Sequence, residues 1–147
     1  MMTKAEGRTR TVKRKGELKP VHNHVEVLVM DDEHGVRSVL TEALAANGYI
    51  VYLADGTKAV EVMNARQYDL IITDLKMAVM DGLQTLALAK EKSPEAKLVV
   101  ITGYPSEESL QSCRELGVDR YLVKPFSINE IRQVARNVLR GKSPSVQ

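Results

Sequence analysis

The sequence predicts an α/β domain built on a parallel sheet with helices on both faces. Three observations carry that prediction. Five short apolar runs recur along the chain, VEVLVM, YIVYLA, DLIIT, KLVVIT and RYLV. Segments with apolar residues at helical spacing separate them. The runs are continuous rather than alternating, as strands buried on both faces require.

Residues 25–30 form the first expected strand, followed by Val36, Val39, Leu40, Ala43 and Leu44 at helical spacing, with Gly48 where a helix C-cap belongs. Residues 49–54 give the second strand, and Ala59, Val60, Val62 and Met63 line a second helix. The third strand is 69–73. After a loop over 74–82, a third helix carries Leu83, Leu86 and Ala87 and ends near Ser93-Pro94. Residues 97–102 are the fourth strand. Ser106 can cap a helix bearing Leu110, Cys113 and Leu116 that stops at Gly117. Residues 120–123 are the fifth strand. Ser127 and Glu130 make a capping box for a last helix with Ile128, Ile131, Val134, Ala135 and Val138 on one face. The unit is (βα) five times over.

At 147 residues the chain fits one domain that can bury its core without disulfide or structural metal. Cys113 is its single cysteine, so an internal disulfide is excluded and a reducing, cytoplasmic setting is expected. The N-terminus lacks the apolar core of a signal peptide, and no stretch approaches the length of a membrane span. The net charge of +2 is uneven. Residues 1–24 hold seven Lys/Arg against Glu6 and Glu17, whereas the remainder holds 14 basic and 17 acidic residues. The expected organisation is a basic tail without regular structure (1–24), a domain (25–140) and a short C-terminal tail (141–147).

The chemistry sits at the ends of the strands. Asp31 and Asp32 follow the first, Asp74 the third and Lys124 the fifth, and Thr102 ends the fourth. Carboxyl ends of parallel strands are where an open α/β sheet builds its site. If the first strand lies between the second and third, the carboxylates meet at the topological switch point. Three carboxylates resist joint ionisation, and a hard cation with oxygen ligands resolves that conflict. Mg²⁺ suits it, since Mg²⁺ keeps waters and accepts carboxylates together with a phosphate oxygen. Lys124 adds a point charge for a phosphoryl group and Thr102 a hydroxyl donor. A nucleophilic carboxylate, a metal and two donors suffice for phosphoryl transfer.

These residues carry a resemblance. The chain resembles the receiver domains of two-component response regulators over about Val25 to Arg140, through Asp31-Asp32, the DLKMAVMDG loop opening with Asp74, Thr102 in VVITGY and Lys124 in YLVKPF. The resemblance implies a flavodoxin-like fold with strand order 2-1-3-4-5. It implies phosphorylation of Asp74 by a histidine kinase or histidine phosphotransfer protein. Asp32, Asp74 and the Lys76 backbone carbonyl would ligate Mg²⁺ directly, and Asp31 through water. Thr102 and Tyr121 would form a switch pair, Lys124-Pro125 would be cis, and the fourth helix, fifth strand and fifth helix would form the output surface. That surface would meet a downstream protein, an output domain or a second copy in a phosphorylation-linked homodimer. Ala78 stands where the family usually has proline, and Lys76 and Tyr104 occupy two variable positions beside the phosphoryl site.

Other readings are plainer. Cys113 on an apolar stripe reads as packing, and His34 needs no special role. The H-x-H of His22 and His24 has no third ligand nearby. The basic tail reads as a solvated extension, with nonspecific nucleic-acid contact as a weaker reading. Two rival functions fit the sequence less well. A magnesium phosphatase of the haloacid dehalogenase kind wants an aspartate two residues after the nucleophile, where this chain has Lys76, and a cap domain. A constitutive scaffold would not need the intact set of Asp31, Asp32, Asp74, Thr102 and Lys124. The expectation is a phosphorylation-controlled module, stand-alone or excerpted from a larger regulator, and no turnover enzyme beyond its own phosphorylation and slow dephosphorylation.

Overall fold

In a computed structural model, which describes residues 10–14, 17–21 and 24–140, the five apolar runs become β1 (Glu26–Met30), β2 (Ile50–Ala54), β3 (Leu70–Asp74), β4 (Lys97–Thr102) and β5 (Arg120–Val123). All pair in parallel in one sheet of order β2-β1-β3-β4-β5, the order 2-1-3-4-5 implied by the resemblance. Helices α1 (His34–Ala45), α2 (Ala59–Ala65), α3 (Gly82–Lys92), α4 (Glu107–Glu115) and α5 (Ile128–Leu139) alternate with the strands.

Strand alternation sorts the core into two layers. Val27, Val29, Leu70, Ile72, Val99 and Ile101 pack on one face with Leu40 and Leu44 of α1 and Ile131, Val134 and Val138 of α5. Leu28, Met30, Ile71, Leu98 and Val100 pack on the other with Met63 of α2, Leu86 of α3 and Cys113 of α4. Each central strand is thus buried on both sides, which is why its sequence shows no polar alternation. Cys113 is fully buried, and burial pushes its thiol up to about 11, as expected of a packing residue.

Helix ends follow local chemistry. Ser106 accepts the Ser109 amide at 3.0 Å. Ser127 and Glu130 form the full capping box, and Asp81 caps α3 through the Leu83 amide at 2.9 Å. Gly48 and Gly117 take φ of 86° and 78° just beyond α1 and α4, a conformation that suits glycine.

Several details differ from the sequence reading, among them Ala87, which is exposed while Leu86 and Ala89 are the buried apolar residues of α3. The third strand runs one residue later, so Asp74 is itself in the ladder, opposite Ile101. Asp69 instead lends its carboxylate to the Glu26 amide at 2.8 Å. Val60 is 46% exposed, because Ala59 and Met63 of α2 are buried in the core with Val62 partly buried against it, and Val60 points away. Finally, part of the basic segment has regular structure: Arg10–Arg14 and Glu17–Val21 pair as an antiparallel ribbon, with Arg10 opposite Val21. A low apolar content does not prevent backbone groups from pairing with each other, and Thr11, Val12 and Val21 favour extended chain. The rest of 1–23 and all of 141–147, His22 included, lie outside the described residues.

Candidate functional site

The strand order reverses at β1, so the loops leaving β1 and β3 diverge and open a crevice at their carboxyl ends. Asp31 stands at its floor. Its amide still donates to the Ala54 carbonyl at 3.0 Å, so the chain has not yet left the sheet. Its carboxylate is completely buried: Oδ1 accepts the Glu33 amide at 2.8 Å, and Oδ2 lies 3.2 Å from Lys124 Nζ. Asp74 is 4% exposed. Its Oδ1 accepts the Lys76 amide at 2.9 Å, and its Oδ2 accepts Lys124 Nζ at 2.8 Å.

Lys124 follows β5 and is held by its own backbone, whose amide donates to the Thr102 carbonyl at 2.8 Å. The next bond, Lys124-Pro125, is cis. Thr102 is 1% exposed, and its hydroxyl accepts the Tyr104 amide at 3.0 Å. Side-chain contacts thus join Asp31, Asp74 and Lys124 from three strand ends, while Thr102 adjoins them through its backbone carbonyl.

Asp32 is turned elsewhere. Its Oδ1 accepts the Gly56 amide at 2.8 Å and its Oδ2 the Ala78 amide at 2.6 Å, tying together the loops after β2 and β3. Its place beside Asp31 is taken by Glu33, whose Oε1 lies 2.7 Å from Lys124 Nζ. Oxygens of Asp31, Glu33 and Asp74 all lie within 4.8 Å of one another. The sequence reading missed Glu33. Its one signal was adjacency to the acidic pair, whereas its partner lies 91 residues away.

Three carboxylates surround one ammonium, leaving an excess of negative charge. Burial pushes the Asp31 carboxyl up to about 6; the Asp74 charge adds to this, while the Glu33 amide and Lys124 oppose it. For Lys124, burial works against the ammonium. Hydrogen bonds to Asp74 and Glu33, with the charges of Asp31 and Asp74, outweigh it and raise its pKa. Asp31 Oδ2 is buried without a hydrogen-bond donor despite its ionic contact. An all-oxygen, over-charged donor set with an unsatisfied buried oxygen fits a hard divalent cation.

The mouth of the site is a cavity of about 370 Å³ lined by Glu33, Asp74, Lys76, Gly103, Tyr104 and Lys124. The Lys76 ammonium sits 4.9 Å above the exposed Tyr104 ring, so the two variable positions face each other across it. The backbone below is fixed. Lys76 bridges Asp81, and a Cβ on Gly82 would lie 2.3 Å from the Leu75 carbonyl oxygen, so only glycine fits. Thr102 and Tyr121 share a sheet face two residues apart in register, since Tyr121 pairs with Val100 and Val123 with Thr102. The Tyr121 hydroxyl lies 2.6 Å from Ser109 Oγ on α4, and Ser109 Oγ also donates to the Ser106 carbonyl.

Comparison with known proteins agrees with this geometry. The family described as response regulator receiver domain matches residues 27–136. Sporulation initiation phosphotransferase F of Bacillus subtilis is 31% identical over 119 residues, 80% of this chain and 96% of the relative. The transcriptional regulatory protein ZraR of Escherichia coli O157:H7 is 32% identical over 119 residues, and there the chain spans only 27% of the relative's length. Among solved structures, the beryllofluoride-activated NtrC4 receiver domain dimer is similar at a TM-score of 0.73 and 28% identity, over 80% of this chain and 98% of that one. Among the described residues, no helix is long and apolar enough to cross a membrane.

Proposed function

The chain belongs to the response regulator receiver family, and from that premise we propose that it is the phosphoacceptor of a two-component phosphorelay, with Asp74 as the residue phosphorylated. The single observation that carries the reading is the buried Asp74 carboxylate hydrogen-bonded to Lys124 at 2.8 Å inside an over-charged oxygen cluster. The donor would be a phosphohistidine of a kinase or phosphotransfer protein. An Asp74 carboxylate oxygen forms the new bond to phosphorus, the donor's N–P bond breaks, and the imidazole leaves with that electron pair. Lys124 and the Thr102 hydroxyl then meet charge on the phosphoryl oxygens.

Mg²⁺ bound by Asp32, Asp74 and the Lys76 carbonyl, with Asp31 through water, would supply charge neutralisation. The amides on Asp32 leave each of its oxygens a second lone pair, so its hydrogen bonds are compatible with that role. The reading of Tyr121 as switch partner of Thr102 draws support from their shared sheet face and from the bond to Ser109, which links the strand to α4. The face of α4, β5 and α5 is then the output surface. A downstream protein, an output domain or a second copy would read it. The module would work in the cytoplasm, with no turnover chemistry beyond its own phosphorylation and slow hydrolysis.

The test is incubation with acetyl phosphate, with and without Mg²⁺, followed by intact mass. A Mg²⁺-dependent gain of one phosphoryl group that disappears in Asp74→Asn is expected. Uptake by Asp74→Asn equal to the wild type would overturn the assignment.

A further inference from the structure

We propose that Glu33 is a positioning residue that restrains phosphorylation by occupying Lys124. The inference rests on the reading of Asp74 as phosphoacceptor. An ammonium has three N–H donors, and three carboxylates surround that of Lys124: Glu33 at 2.7 Å, Asp74 at 2.8 Å and Asp31 at 3.2 Å. Two of those donors are hydrogen-bonded to Glu33 and Asp74, and Asp31 adds an ionic contact, so an arriving phosphoryl oxygen competes with these carboxylates for Lys124.

The three are not equally able to leave. Asp31 is completely buried and pinned by the Glu33 amide. Asp74 is the acceptor itself and is held by the Lys76 amide. The Glu33 side chain is 64% exposed, and no side-chain hydrogen bond other than that to Lys124 holds it among the described contacts. Glu33 can swing into water at little cost, and it also lines the cavity through which the donor must approach. In the resting protein its carboxylate stands where a phosphoryl oxygen would pair with Lys124. Its charge therefore opposes an anionic donor twice, by occupying the lysine and by repelling the phosphoryl group.

The test compares wild type, Glu33→Gln and Asp74→Asn with acetyl phosphate in saturating Mg²⁺, at low and high ionic strength. Removing one unit charge beside the path of a dianion is expected to raise the second-order rate constant of Glu33→Gln about fivefold at low salt. The gain should shrink toward unity in about 1 M salt, where screening is nearly complete over this distance. A change in packing alone would not show that salt dependence. An equal or slower rate in Glu33→Gln, while wild type is phosphorylated on Asp74, would overturn this inference alone. A wild type that takes up no phosphoryl group would overturn the phosphoacceptor reading with it. Isothermal titration with Mg²⁺ supplies a readout independent of phosphorylation. Glu33→Gln should weaken Mg²⁺ binding by no more than about fivefold, as loss of one neighbouring charge beside a dication would, and a loss above about a hundredfold would overturn the proposal by making Glu33 a direct metal ligand.

Discussion

Replacing Asp31 by asparagine should stabilise the metal-free protein at neutral pH. The carboxyl is completely buried, and its pKa in the folded chain is about 6 against an ordinary 3.8. Each unit is worth about 1.4 kcal/mol, so ionised Asp31 costs the fold on the order of 3 kcal/mol. Asparagine keeps the oxygen that accepts the Glu33 amide and removes the charge. It also turns an NH₂ toward Lys124, which offsets part of the gain, so about 1–3 kcal/mol is expected. The direction with pH follows from which state holds the proton. Below the ordinary value both states are protonated and the cost is absent. Between 3.8 and about 6 the folded state alone holds the proton, so wild-type stability falls as pH rises through that window. Above it the cost is complete. Urea denaturation followed by circular dichroism, in chelator, at about pH 4.5 and 7.5, reads the difference. The variant should lead clearly at the higher pH and much less at the lower. A variant that is less stable at the higher pH, or equally displaced at both, would refute the reasoning.

Two further outcomes are expected from the same kind of measurement. Gly82→Ala places a methyl 2.3 Å from the Leu75 carbonyl oxygen, so α3 must shift, and a loss of about 2 kcal/mol or more in denaturant midpoint analysis is expected. Ser127→Ala removes one half of the α5 capping box and should cost about 1 kcal/mol without altering Asp74 phosphorylation.

The strand ends were legible because their chemistry is local. An acid or lysine that follows a continuous apolar run lies at the carboxyl edge of a sheet, and with the strand order that the family resemblance implied, this placed Asp31 and Asp74 together at the switch point. The caps at Ser106 and Ser127 were legible for the same reason, since each partner lies three residues away. What the sequence could not convey was side-chain direction. Asp31 and Asp32 are chemically identical neighbours, yet one turns into the cluster and the other to the Gly56 and Ala78 amides. Glu33 belongs to the cluster only because Lys124 reaches it across 91 residues. The paired strands over 10–14 and 17–21 were missed because backbone pairing needs no apolar pattern.

The most direct test of the central claim is to locate the phosphoryl group itself. After incubation with acetyl phosphate and Mg²⁺, borohydride reduction converts an aspartyl phosphate to homoserine, which peptide mass spectrometry places in the chain. Homoserine at position 74 alone is the predicted result. Modification confined to any other residue, or to none, would contradict the account.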